Sequence, residues 1–351
     1  MIEPIPSRPW LSILIPVYNV EAYLQECVES VLAQADAGVE VLMLDDVSTD
    51  GSALLMEALR QRWPDRIRLL AHPRNQGLSA ARNTMLAACQ GDYVWCLDSD
   101  DKLLPGAIAE LRDIVSRHGP ELVLCDFQLW RAHPRLKHRL RGEAHRASFA
   151  GPAGQLLHSR ADLLAGMCRK GQMHAWSKVV RRSLWGDDLR FPSGSYFEDM
   201  ATMPRLLLRA RSWFYAPSVW VAYRQREGSI VSNMTLRKAA DLSGALRVFS
   251  KELVLAQQED PGLRQPRIAF LVSHMSARNY MGAMRFLAAH PQSEGVAEAA
   301  RQFAQDFLLS SPLTPQQLLQ AYRRHGWWMR YLRGRRWLES DDLKAAQQAA
   351  S

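Results

Sequence analysis

The stretch LSILIPVYNVEAYLQECVESVLAQADAGVEVLMLDD, residues 11–46, decides the fold class of this protein. The apolar run Leu11–Val17 is typical of a buried β-strand, and apolar residues at helical spacing follow in residues 21–34. A second strand-like run comes at residues 39–44. Strand, helix and strand in this order predict an α/β fold with parallel strands.

The same alternation continues along the chain. Further strands are predicted at residues 66–71, 92–97 and 121–130, and the helices that separate them at residues 48–63, 78–90 and 106–119. This pattern predicts a mostly parallel sheet with helices on both faces, a Rossmann-like arrangement. From about residue 236 onward the pattern is helical, which predicts a helical C-terminal region.

Charge and composition indicate the kind of partner. The chain has 351 residues and a formal net charge of +8. Two basic runs lie at residues 131–146 and 322–337, and the second holds six arginines, interleaved aromatic residues and no acid. Such runs favour anionic partners. For the second run we expect an anionic membrane surface or a phosphorylated glycolipid; the alternative is a C-terminal helix packed on its own domain.

Cysteine usage and hydropathy indicate the compartment. The five cysteines are widely spaced and contain no CxxC pair, which predicts buried reduced thiols. The first ten residues hold no apolar run of the signal-peptide kind, and no segment resembles a membrane-spanning helix. We therefore expect a cytoplasmic protein that is either soluble or peripheral on the inner face of the cell membrane.

Polar clusters follow three of the predicted strands. PVYN comes after the first strand, DDVSTD after the second and DSDD after the fourth. Because ligands of α/β sheets bind beyond the carboxyl ends of the strands, these clusters predict one shared site.

The DSDD segment has two interpretations. Asp98 and Asp100 are separated by one residue, so both carboxylates can point to the same side and bind Mg²⁺ or Mn²⁺ together with phosphate oxygens. The alternative is a solvated turn that caps the helix beginning near Pro105.

Two further segments carry weaker signals. Asp45 and Asp46 can accept hydrogen bonds from a base or a ribose, although acids at this position also cap helices. In NQGLSAARN, residues 75–83, a helix start followed by Arg82 can hold an anion.

In this order the motifs resemble the family 2 glycosyltransferases, which have the GT-A fold, over about residues 10–232. A later set is similar to bacterial members that build lipopolysaccharide or capsule. Val47 departs from the pattern, because the family commonly has glycine there. The matching segments are SILIPVYN, LDDVSTDGS, NQGLSAARN, CLDSDD, WSKVVRRSLW, FEDM and YRQREGSIVSN.

The resemblance implies roles for individual residues. Asp100, with Asp98, would bind Mn²⁺ or Mg²⁺, and Asp199 of the Glu198–Asp199 pair would be the catalytic base. Arg224 and the turn at residues 228–229 would close over the diphosphate. The residues expected at the nucleotide are Pro16, Tyr18, Asn19, Asp45, Asp46, Arg82, Asp98, Ser99, Arg224 and Ser229.

The function that this resemblance implies is inverting, metal-dependent transfer of a sugar from a nucleotide-diphosphate donor to a hydroxyl of a bacterial surface glycan or glycolipid. Family habit favours a UDP-sugar over a dTDP-sugar, and nucleic acid is not an expected partner. The catalytic domain is predicted at residues 10–232 and the helical region, with its basic aromatic tail, at residues 233–351.

Three alternative functions compete with sugar transfer. A sugar nucleotidyltransferase needs a glycine-rich loop after the first strand, where this chain has PVYN. A dinucleotide oxidoreductase needs GxGxxG after a strand, which is missing. A catalytically silent scaffold that binds nucleotide or lipid stays open, although every acid that the mechanism requires is present.

Overall fold

The computed structural model describes residues 8–131, 133, 136–225, 234–292 and 294–350. These residues form two compact units. The first holds the described residues up to 158, together with 172–194 and 209–225. The second holds residues 159–171 and 195–208 and the described residues from 234 onward. The domain boundary predicted at residue 232 stays a prediction.

The first unit is built on one sheet of nine strands within the described residues. The strand order is β3-β2-β1-β4-β8-β6-β9-β5, and β7 also pairs with β9. The strands are β1 (Leu11–Val17), β2 (Val39–Asp45), β3 (Ile67–Ala71), β4 (Tyr93–Cys96), β5 (Lys102–Leu103), β6 (Leu122–Trp130), β7 (Leu156–Leu157), β8 (Lys178–Arg181) and β9 (Trp213–Arg224).

Strand direction differs between the two halves of the sheet. Strands β1 to β4 are parallel, as predicted. In the other half β8 is antiparallel to β4 and β6, and β5 and β7 are antiparallel to β9, while β6 and β9 are parallel. The sheet is therefore mixed rather than mostly parallel, because strands of two to four residues are too short to carry a recognisable pattern.

Helices cover the sheet of the first unit. Ile13 and Ile15 of β1 belong to a core that also contains Leu24, Met56 and Leu111 from three helices. Leu14, which points to the opposite face, is also buried, so both faces of β1 are covered. The helices are α1 (Glu21–Leu32), α2 (Ser52–Arg62), α3 (Leu78–Ala88), α4 (Ala107–His118) and α5 (Leu136–Leu140).

The second unit is helical, and the C-terminal region predicted as helical is confirmed. The long helix α10 contacts α6, α8 and α11. The helices are α6 (Arg160–Lys170), α7 (Glu198–Arg209), α8 (Leu236–Gly244), α9 (Arg247–Glu259), α10 (Pro266–Ala289), α11 (Val296–Ser310), α12 (Pro315–Arg324), α13 (Trp328–Leu338) and α14 (Asp341–Ala350).

Two predictions on composition can be compared with the structure. All five cysteines are buried and none forms a disulfide in the structure, so the predicted burial is confirmed. Within the described residues no helix is long and apolar enough to cross a membrane.

Candidate functional site

The loops after β1 and β2 are tied together by Asn19. Its Oδ1 accepts a hydrogen bond from the backbone N–H of Thr49 at 2.7 Å, and its own N–H donates to Ser48 Oγ at 3.1 Å. Pro16 is buried within β1, and Tyr18 is half exposed at the strand end. The structure therefore places these three predicted nucleotide residues at the carboxyl end of β1, where Tyr18 is accessible to a ligand.

Asp46 is buried and shapes the turn that precedes α3. Its carboxylate accepts hydrogen bonds from the N–H groups of Gln76 at 2.9 Å and Gly77 at 2.7 Å, and His72 Nδ1 lies 2.7 Å from Oδ1. Asp45 Oδ1 accepts the N–H of Ser48 at 3.0 Å. Both acids thus have structural contacts at the positions where sequence reasoning expected them to border a nucleotide.

Arg82 is buried behind the acids that follow β4. Its Nη2 donates to Asp98 Oδ1 at 2.7 Å, and its guanidinium lies 5.2 Å from the centre of the Phe191 ring. The predicted contact of Arg82 with the base or the diphosphate stays a prediction. In the structure its ion pair orients Asp98, and Ser99, the next residue along the chain, is buried.

Asp101 accounts for how three acids can crowd after β4. Its side chain is buried, Oδ1 accepts the N–H of Arg224 at 2.8 Å, and Oδ2 has no hydrogen-bond partner among the described residues. Burial, and next the negative charges of Asp98 and Asp100, raise the pKa of Asp101 well above its usual range. Burial thus disfavours a third negative charge at this point of the chain.

Arg224 is held beneath this cluster by contacts that the sequence did not predict. Its Nε donates to the backbone oxygen of Asp100 at 2.7 Å, and its Nη2 donates to Glu26 at 2.7 Å. The guanidinium lies 3.6 Å from the centre of a Trp130 ring, over which Lys102 also sits at 3.8 Å. Lys102 donates to Glu26 at 2.8 Å. These four side chains bracket the DSDD loop.

Glu26, Trp130 and Asp101 were not among the predicted site residues. Glu26 lies on the polar side of an ordinary amphipathic helix and Trp130 ends a strand, so neither carries a local signal. Asp101 did carry one, since it belongs to the crowded acids. Although burial acts to raise it, hydrogen bonds from Lys102 and Arg224 hold the pKa of Glu26 below its usual range.

The acids after β4 could supply some, but not all, of the ligands of a divalent ion. Carboxylate oxygens are the ligands that Mg²⁺ and Mn²⁺ prefer, and the side chains of Asp98 and Asp100 are partly exposed. Within the described residues no group of three or more His, Cys, Asp or Glu could hold a metal. Water molecules or phosphate oxygens of a bound ligand would therefore have to complete the coordination of an ion here.

The predicted catalytic pair belongs to the second unit. Glu198 and Asp199 form the first turn of α7, where the helix dipole favours acids. Phe197, just before them, has a φ of 57°, and the N–H of Tyr196 donates to Asp241 at 2.9 Å. Ser229, with Gly228, lies outside the described residues.

Val47, which stands where glycine is common, adopts a left-handed backbone with φ 65°. This conformation destabilises the folded state by about 1–2 kcal/mol for a residue with a Cβ. Replacing it with glycine removes that strain, but glycine loses more backbone entropy on folding, which costs about 0.5–1 kcal/mol. Val47 is 38% exposed, so replacing it with glycine also removes a partly buried side chain. Because relief of the backbone strain offsets that loss, we expect Val47→Gly to leave the free energy of unfolding within about 0.5 kcal/mol of the parent value, measured by urea denaturation.

Leu54→Gly is the matched control, because Leu54 is 81% exposed in α2 of the same unit and has helical geometry. It should lower the free energy of unfolding by about 1 kcal/mol. A loss of stability in Val47→Gly as large as that in Leu54→Gly would contradict the claim of backbone strain.

Comparisons with known proteins indicate the family of this chain. A model of the family described as "Glycosyl transferase family 2" matches residues 12–170. The glycosyltransferase GlyG of Streptococcus pneumoniae is 28% identical over 69% of this chain and 79% of its own length. The succinoglycan biosynthesis protein ExoO of Rhizobium meliloti is 27% identical over 81% of this chain and 82% of its own. The uncharacterized glycosyltransferase EpsJ of Bacillus subtilis is 34% identical, but the match spans 34% of its length.

A solved structure resembles the whole chain. TarS of S. aureus, residues 1–349 in complex with UDP-GlcNAc, superposes with a TM-score of 0.69 and 17% identity, covering 97% of this chain and 91% of that one. At this identity the likeness concerns the fold. It confirms the predicted GT-A fold with a helical C-terminal region.

Proposed function

The chain belongs to the family 2 glycosyltransferases, and from this premise we propose that it moves a sugar from a nucleoside diphosphate to a hydroxyl of a bacterial surface glycan or glycolipid. The observation that carries the proposal is the arrangement after β4. Buried Arg82 orients Asp98 through an ion pair, and Arg224 donates a hydrogen bond to the backbone oxygen of Asp100. The alignment with a succinoglycan biosynthesis protein along most of the chain supports a surface-glycan acceptor.

The donor is proposed to bind at the carboxyl ends of β1, β2 and β4. Exposed Tyr18 would contact the base, while Asp46 would act mainly by holding the Gln76–Gly77 turn. Backbone N–H groups at the start of α3 suit an anion. Because family 2 glycosyltransferases commonly use UDP-sugars, we propose a UDP-sugar rather than a dTDP-sugar as the donor.

Asp100, with Asp98, is proposed to hold Mn²⁺ or Mg²⁺. The ion would offset the negative charge that builds on the departing nucleoside diphosphate. Arg82 would keep Asp98 in position through their 2.7 Å ion pair, and Arg224 would keep the loop in place through the oxygen of Asp100.

Asp199 is proposed as the catalytic base, with Glu198 beside it in the same helical turn. As the acceptor hydroxyl attacks the anomeric carbon, its proton would pass to the Asp199 carboxylate while the bond to the diphosphate breaks. Attack opposite to the leaving group inverts that carbon, and the transition state has oxocarbenium character as in glycoside hydrolysis.

Thermal unfolding with nucleotide sugars tests the donor and metal proposals together. We expect a UDP-sugar with Mn²⁺ or Mg²⁺ to stabilise the protein by about 2.7 kcal/mol at a ligand concentration one hundred times the Kd, and much less without metal. The screen should include dTDP-sugars, which decide the base. If no donor stabilises the protein with either metal, the proposal is wrong.

A catalytically silent scaffold would give the same stabilisation, so turnover must be measured separately. Release of UDP that depends on an added glycan acceptor distinguishes the enzyme from the scaffold. We propose that the reaction takes place in the cytoplasm, at the inner face of the cell membrane.

A further inference from the structure

Helix α13 exposes three large apolar side chains. Trp328, Met329 and Leu332 are 55%, 60% and 62% exposed. Positions 328, 332 and 336 follow one another at four-residue spacing, so they line one face of the helix, and 329 and 333 lie beside them. Arg333 and Arg336 are exposed on this side. We name these five residues the α13 outer face.

The opposite side of α13 is anchored to its own unit. Gly334 and Leu338 are buried, and a Cβ at Gly334 would lie 3.6 Å from Tyr322 and 3.9 Å from Met281. The prediction of a packed C-terminal helix is therefore correct for one side of α13. Because this side is packed, the helix cannot turn its outer face inward, and the three apolar side chains face water.

The charge along α13 is predominantly positive. Residues 323–339 contain six arginines and a single acid, Glu339, which pairs with Arg335 at 2.9 Å; the next acids begin α14. Arg330 is exposed, and its guanidinium contacts His274, with 3.0 Å between Nη1 and Nε2, and the Trp327 ring at 4.0 Å. Arg333 and Arg336 are exposed and lie beside Trp328, Met329 and Leu332 on the α13 outer face.

We propose that the α13 outer face docks on an anionic phospholipid bilayer. Trp328, Met329 and Leu332 enter the headgroup zone, which suits tryptophan and short apolar insertions, while Arg333 and Arg336 lie at lipid phosphates. A second copy of the chain fits this face poorly, because a symmetric contact would place the arginine-rich helices against each other. The inference is independent of the proposed sugar transfer, since it concerns a different surface and needs no donor.

Vesicle co-sedimentation of the full chain tests the proposal. We expect binding to vesicles of phosphatidylglycerol and phosphatidylcholine, little binding to phosphatidylcholine alone, and weakening as salt rises. Arg333→Gln with Arg336→Gln should weaken partitioning by about 30-fold, at about fivefold for each arginine. Trp328→Ser, Met329→Ser and Leu332→Ser together should abolish it.

The matched control is Val254→Ser with Leu255→Ser, two residues of α9 in the same unit that are 58% and 61% exposed. It should bind vesicles like the parent chain, and all variants should keep the parent melting temperature in solution. Equal binding to neutral and anionic vesicles would overturn the proposal. So would parent-like binding by either α13 variant, or a molar mass that doubles with concentration in the parent and not in the serine variant.

Discussion

Replacing Asp199 with asparagine is expected to lower kcat by about 10²–10⁴-fold, the usual contribution of a positioned base. The amide has nearly the same shape as the carboxylate but cannot accept the proton of the acceptor hydroxyl. Donor affinity, measured by calorimetry with a UDP-sugar and Mn²⁺, should stay within about twofold, because the proposed donor contacts come from other residues. Steady-state release of UDP with saturating acceptor measures the loss.

Glu198→Gln is the matched control, since it makes the same chemical change in the same turn of α7. It should keep at least about a tenth of the parent kcat if Asp199 is the base. Should Asp199→Asn turn over like the parent, the base lies elsewhere. A chain without acceptor-dependent turnover in any form, but with donor binding, would instead be the silent scaffold.

Replacing Asp100 with asparagine is the second change with a large expected effect. Metal stabilisation of a leaving group is worth several kcal/mol, and each 1.36 kcal/mol is tenfold in rate, so kcat should fall by about 10³-fold. Unlike Asp199→Asn, this variant should also lose the metal-dependent part of donor stabilisation. Thermal unfolding with a UDP-sugar, with and without Mn²⁺, measures that part directly.

Asp92→Asn controls for the change of charge, because Asp92 precedes β4 and pairs with Arg8 at the strand's other end. It should leave turnover and metal dependence unchanged. If Asp100→Asn retained the Mn²⁺ effect on donor binding, the acids after β4 would not be the metal ligands, and the donor site would have to be placed elsewhere.

The sequence by itself determined the elements nearest the site. Strand β1 has the predicted bounds, Leu11–Val17, and β2 and α1 end within two residues of their predicted ends. Periodicity predicts such elements because burial of one face or both is a local property of the chain. The sequence also showed that Val47 stands where the family commonly has glycine. Its φ of 65° explains the preference for glycine at this position.

Only the tertiary structure decided how remote segments meet. Glu26 and Arg224 lie 198 positions apart, yet their ion pair supports the loop that carries Asp100. The raised pKa of Asp101 depends on burial by the whole unit, and the direction of β8 depends on the path of the chain. A local pattern records which residues avoid water; which groups become neighbours is set by packing summed over the entire fold.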